Sequence, residues 1–143
     1  MTPEDKQLLL KDLCARLPYS VKVESVFINT DTKKRKSCGI EVFDATCILM
    51  IRDGFGEFKP YLFPLSSMTE KQKKEYQYIT ERWMYDSSYS ISDSTDWLNK
   101  NHFDYRGLIE KGLAIDATGL NIYWLILSEF DDYEIRFRKA IEK

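Results

Sequence analysis

The sequence predicts an α+β protein: an N-terminal helix, an antiparallel meander of about four strands, and a helical second half with a short C-terminal hairpin. Three observations carry that expectation. Leu9, Leu10, Leu13 and Leu17 recur at helical spacing behind a capped start. The stretch 20–63 is rich in β-branched and aromatic residues and is divided by turn-forming clusters. From Thr69 onward the pattern returns to helix caps and helical periodicity.

Thr2 is a natural N-cap, Pro3 fits the first helical position, and Glu4 and Asp5 favour the positive helix end. Pro18 stops this helix. Val21, Val23, Ser25 and Phe27 then alternate with Lys22, Glu24, Val26 and Ile28, a strand expected to start half-buried and end buried on both faces. Residues 29–36 are polar and turn-like, and 37–43 and 46–51 read as two further strands, broken near Asp44-Ala45. Asp53-Gly54-Phe55-Gly56 reads as a hairpin loop leading into a strand at 57–63. Pro60 lacks an N–H donor, which places that strand at an edge.

Thr69-Glu70-Lys71-Gln72 is a capping box, opening a helix to about Tyr85 with Tyr76, Ile79 and Trp83 on one face. A Ser-rich loop follows over 86–93, and a short helix begins near Ser94. Asp104 can cap another helix, 105–111, closed by Gly112. Segments 113–116 and 120–127 read as a hairpin around Thr118-Gly119, and 131–143 has acids, bases and apolar residues at helical spacing.

The chain has 143 residues, the size of one domain. Its 43% hydrophobic and 31% charged residues suit a globular core built without disulfides or metal. Nine Tyr, eight Phe and three Trp are an excess that suits half-buried sheets, grooves and interfaces. A net charge of −2 gives no global attraction to nucleic acid or anionic lipid. Cys14, Cys38 and Cys47 are odd in number and form no CxxC, so they read as reduced structural thiols and not as a disulfide or zinc framework. Acids and lysines interrupt the N-terminal apolar run, which therefore does not read as a signal peptide. The later run 122–127 is far shorter than the ~20 residues of a membrane span. A cytoplasmic protein without cofactor, metal or membrane partner is expected.

His102 is the only histidine, so any His-dependent chemistry must use it. In one reading Asp104 orients His102 and Arg106 binds an anion. In the other, this is an inter-helix junction whose polar groups satisfy backbone ends, and that reading is preferred. Lys33-Lys34-Arg35-Lys36 is a basic run on a hairpin tip that could touch phosphates, with Phe27, Phe43 and Phe55 stacking bases. A solvated, solubilising tip is the competing account. Residues 86–92 imitate a calcium loop but place Ile91 where the turn needs glycine and Trp97 where a bidentate Glu belongs. Gly54-Phe55-Gly56 lacks the third glycine of a phosphate cradle. Glu129, Asp131, Asp132 and Glu134 precede Arg136, Arg138, Lys139 and Lys143, a distribution that complements a helix dipole.

Three stretches, Met1 to Tyr19, Tyr61 to Thr69 (YLFPLSSMT) and Thr95 to Tyr123 (opening TDWLNKNHFDYRGLIEKG), resemble short uncharacterised proteins of gut Bacteroidales genomes and their phages or mobile elements. The segment after Tyr123 departs from that group's pattern. The resemblance implies a cytoplasmic accessory protein of phage or mobile-element origin and supplies no activity, substrate or site residue.

The preferred function is therefore a non-enzymatic binding or adaptor module whose partner is a protein, from a host or a second copy. Its surface would combine the strand 57–63 with Trp97, Phe103, Tyr105 and Arg106. The alternative is a nucleic-acid-binding accessory protein using Lys33, Lys34, Arg35 and Lys36. The least favoured is a hydrolase or transferase centred on His102, Asp104 and Arg106.

Overall fold

A computed structural model describes residues 1–82, 84–85 and 90–123. The α+β class is observed. Helix α1 (Pro3–Arg16) is capped by Thr2, whose hydroxyl accepts the Asp5 N–H at 3.1 Å. A 3₁₀ turn at Leu17–Tyr19 contains Pro18 and ends it. Strands β1 (Lys22–Ile28) and β2 (Arg35–Val42) form an antiparallel hairpin.

The strand expected at 46–51 is instead helix α2 (Ala45–Asp53). A short apolar run has no period that separates a buried strand from a helix, so its ends decide. The Asp44 carboxylate accepts the Cys47 N–H at 3.1 Å, and Gly54 closes the helix in the left-handed conformation at φ 77°. The segment at Asp53 to Gly56 is thus a helix C-cap and not a hairpin loop.

Because α2 carries the chain across, β3 (Gly56–Pro64) pairs with β1 and not with β2. The sheet is mixed, in the order β2-β1-β3-β4, with β5 also paired to β3. The short strands β4 (Phe103–Asp104) and β5 (Ile115–Asp116) run parallel to β3, beside Phe63–Pro64 and Tyr61–Leu62 respectively. The expected antiparallel meander is thereby replaced by a sheet whose middle strand is β3.

The edge position expected for Pro60 holds for only half of that strand. Along Gly56 to Pro60, β3 is paired with β1 alone among the described residues. The Ile28 N–H donates to the Phe55 carbonyl at 2.7 Å. Alternation along an antiparallel ladder then directs Glu57 and Lys59 toward β1, and turns the peptide groups of Gly56 and Phe58 and the nitrogen of Pro60 away from it. The missing donor of Pro60 costs no β1 bond.

Val23, Ser25, Phe58 and Pro60 share one sheet face by register, and all are buried. Leu9 and Leu13 of α1, with Phe43 and Cys47 at the start of α2, join them in the core. The end of β1 is more open than expected: Phe27 is 39% exposed, because its β3 neighbour is Gly56, which has no side chain to cover it. Strand β2 is exposed throughout and carries a bulge at Cys38, with Gly39 at φ 80°.

Helix α3 (Glu70–Arg82) starts with the expected reciprocal box: Thr69 N–H donates to Gln72 Oε1 at 2.9 Å and Gln72 N–H to Thr69 Oγ1 at 3.1 Å. Helix α4 (Ile91–Lys100) begins earlier than expected, because Ser90 and Asp93 form a second box. Residues 105–112 make turns and not a helix, with Gly107 left-handed at φ 75°. Asp104 still caps them, accepting the Leu108 and Ile109 N–H groups at 3.0 and 2.9 Å. Among the described residues β5 pairs with β3 and not with the expected hairpin partner, of which Ile122 and Tyr123 are helical. Residues 124–127, the acidic cluster with its helix 131–143, Trp83 and 86–89 lie outside the described residues. Among the described residues no helix is long and apolar enough to cross a membrane.

Candidate functional site

The segment from Trp97 to Arg106 meets α1 at a buried polar junction. Asp12 and Arg16 stand one helical turn apart and are fully buried. Arg16 donates through Nε and Nη2 to the Asp12 carboxylate at 2.8 and 3.1 Å, and through Nη2 to the Phe103 carbonyl at 2.6 Å. Arg106 reaches the same carboxylate at 3.0 Å. Both guanidiniums lie over the Tyr105 ring, whose hydroxyl donates to Asn99 Oδ1 at 2.9 Å. One buried carboxylate between two cations therefore ties α1 to the chain beyond α4.

His102 is part of the same junction. Its backbone is left-handed at φ 62°, its N–H donates to Asn99 O at 3.1 Å, and its carbonyl accepts from Phe63 N–H at 2.8 Å. Its ring stacks on Tyr123 with centroids 3.8 Å apart. Burial, aided by the positive charge of Arg16, lowers its pKa to about 3, so the imidazole is neutral. Asp104 is occupied by the backbone amides of 108 and 109, and Arg106 by Asp12. The three residues considered for catalysis thus have separate structural partners.

The residues considered for partner binding divide. Trp97 is half-buried, stacks on Phe103 (5.7 Å, 12°) and makes a tilted contact with Tyr76 of α3 (5.5 Å). Phe103 is 1% exposed and belongs to the core. Tyr105 and Arg106 are half-buried and committed to the junction. Asp12 and Arg16 belong to no recognisable sequence motif, although their spacing with Leu9, Leu13 and Leu17 places them on the apolar stripe of α1.

An open feature of the described residues lies elsewhere. A cavity of about 440 Å³ lies between α1, the C-terminal end of α2 and the first half of β3. Leu9, Leu10, Leu13, Ile28, Ile51 and Phe58 give it an apolar lining. Lys6, Glu57 and Lys59 bring charge to it. Glu57 accepts from Nη1 and Nη2 of Arg35, whereas Lys6 and Lys59 have no ion-pair partner among the described residues. Gly56 is required there: a Cβ would meet the Phe58 ring at 2.9 Å and the Met50 methyl at 3.3 Å. No single motif announces this groove, because its walls come from segments far apart in the chain.

The basic run does form the β1–β2 tip. Asn29 Oδ1 accepts the Asp31 and Thr32 N–H groups, and Lys33 is left-handed at φ 56°. Lys33, Lys34 and Lys36 are exposed, and Arg35 is committed to Glu57. Lys36 lies opposite Phe27. Phe55 is 39% exposed, but Phe43 is buried and cannot stack on a base. Of the thiols only Cys47 is buried, where desolvation raises its pKa, while Cys14 and Cys38 are exposed. Among the described residues no group of three or more His, Cys, Asp or Glu is placed to hold a metal ion. The chain matches no family model, no curated protein and no solved structure.

Proposed function

We propose that this protein works by contact, as a binding module whose receiving surface is the groove between α1 and the first half of β3. The observation that carries this reading is the coincidence of an apolar cavity with a strand segment that, among the described residues, is paired on one side only. A preformed concave site with an apolar lining and a few charges at its rim suits recognition. The polar residues considered for chemistry support it from the other direction, since His102, Asp104 and Arg106 are engaged in holding the fold.

The test uses 1-anilinonaphthalene-8-sulfonate, an apolar anion whose fluorescence rises on leaving water. Saturable, one-to-one enhancement is expected with the wild-type chain, and at least a tenfold weaker response with Leu10→Trp, which fills the cavity. Absence of enhancement, or an equal response from the filled variant with native circular dichroism, would remove the groove as a binding site.

A second reading, contact with single-stranded nucleic acid at the hairpin tip, draws on Lys33, Lys34 and Lys36 beside the partly exposed Phe27. It calls for retention on oligo(dT) at low salt that is lost when these three lysines become Ser. The commitment of Arg35 and the burial of Phe43 make it the weaker of the two.

A further inference from the structure

We infer that the groove takes an extended acidic peptide segment, added as a strand along the open half of β3. The inference rests on the binding reading above and names the occupant. Three features select it.

The first is the backbone. Alternation turns the N–H and C=O groups of Gly56 and Phe58 away from β1, and no strand meets them among the described residues. A small apolar ligand would leave these groups unused. An extended peptide pairs with them, as in strand addition to a sheet edge. Pro60 offers no donor, so the ladder ends there, and β5 takes over at Tyr61. This edge therefore has two donating residues, Gly56 and Phe58, both buried beside the cavity, and defines the register.

The second is shape. Side chains alternate along a strand, so every second residue of the incoming segment faces the groove. The cavity of about 440 Å³ has room for aliphatic side chains against Leu9, Leu10, Leu13 and Phe58.

The third is charge. Arg35 holds Glu57, leaving Lys6 and Lys59 as the lining charges without an ion-pair partner among the described residues, with Glu24 opposite Lys59 in the ladder. Acidic residues on the incoming segment would meet them, and basic ones would be repelled.

The probe is a blocked synthetic heptapeptide, Glu-Val-Glu-Leu-Asp-Val-Glu, used to displace bound 1-anilinonaphthalene-8-sulfonate from the full chain. The comparison peptides replace every acid by Lys, or carry N-methyl groups on alternate residues to remove backbone donors. Displacement by the acidic peptide is expected, weakened at least tenfold by N-methylation and at least tenfold by the Lys6→Gln/Lys59→Gln double variant. Both lysines are exposed, so that variant should keep the fold. Equal displacement by the lysine peptide, or none of the weakening on N-methylation, would overturn the inference. Decanoate separates the two levels. If decanoate displaces the dye and the acidic peptide does not, the peptide inference fails while the groove remains a binding site. If the dye never binds the groove, the underlying reading fails first.

Discussion

His102 gives the clearest residue-scale consequence, because its ring is neutral where it is buried. Its folded pKa, lowered to about 3, lies well below the ordinary histidine value near 6.5. The unfolded chain therefore takes up a proton below about pH 6.5 that the folded chain resists until about pH 3. This contribution is complete above pH 6.5 and is lost as pH falls through that window. At about 1.36 kcal/mol per unit, it amounts to roughly 2–3 kcal/mol between pH 7.5 and 4.5. His102→Asn keeps a residue that tolerates φ 62° and removes the titration. Urea unfolding at the two pH values should show a smaller pH slope for the variant, and an unchanged slope would show that His102 does not carry it. Asp12 makes the second test. Asp12→Ala leaves Arg16 and Arg106 without their shared carboxylate and should cost about 3–5 kcal/mol in the same assay. A loss below about 1 kcal/mol would mean that solvent reaches the pair. The sequence holds a clue to this junction, since residues 12 and 16 fall on the Leu9–Leu13–Leu17 stripe. It does not disclose Phe103 or Arg106 as their partners, because those contacts span about ninety residues of chain.

At the scale of elements, the sequence was legible wherever a cap spelled out the answer. Thr2 and the Thr69–Gln72 box form the hydrogen bonds their spacing implies. It was misleading where an apolar run stood between weaker signals. Thr46 to Ile51 suits a strand by composition, yet Asp44 and Gly54 bracket it as a helix. That one substitution of element changes the sheet, because a helical crossover delivers β3 to the far side of β1. Pro60 marks an edge by its chemistry, and the structure bears this out in part: its nitrogen faces the side of β3 that no strand covers along Gly56 to Pro60 among the described residues. The helix assignment has its own test. Asp44→Ala removes the acceptor for the Cys47 N–H and should cost about 1 kcal/mol. Gly54→Ala places a side chain at φ 77° and should cost about as much. Measured by thermal unfolding, both should lower the midpoint. A neutral Asp44→Ala would argue that this carboxylate does not start the helix.

At the scale of the whole molecule, one aromatic residue connects regions that the sequence keeps apart. A line of ring contacts runs from Tyr76 of α3 through Trp97, Phe103 and Phe63 to Tyr123 and His102. At its end the Tyr123 hydroxyl stands between β1 and β3. It accepts the Lys22 N–H at 2.8 Å and donates to the Tyr61 carbonyl at 2.7 Å. By register, Lys22 and Tyr61 would be the next hydrogen-bonded pair of that ladder, so the hydroxyl replaces a direct strand-to-strand bond. Just past it, Phe63 turns its N–H to the His102 carbonyl at the start of β4. Tyr123 thus fills the gap between the end of one strand pairing and the start of another. Burial raises its pKa, so the phenol stays protonated and can keep donating. Tyr123→Phe retains the ring stack on His102 but leaves one amide and one carbonyl without their partner. Two such groups at a partly buried site should cost about 1–3 kcal/mol. The loss should be local as well as global: hydrogen exchange at Lys22 should accelerate, while Val26, paired deeper in the ladder, keeps its protection relative to global stability. If Tyr123→Phe stays within about 0.5 kcal/mol of wild type and Lys22 exchange is unchanged, the hydroxyl does not join the strands, and the ring stack alone must hold this end of the sheet.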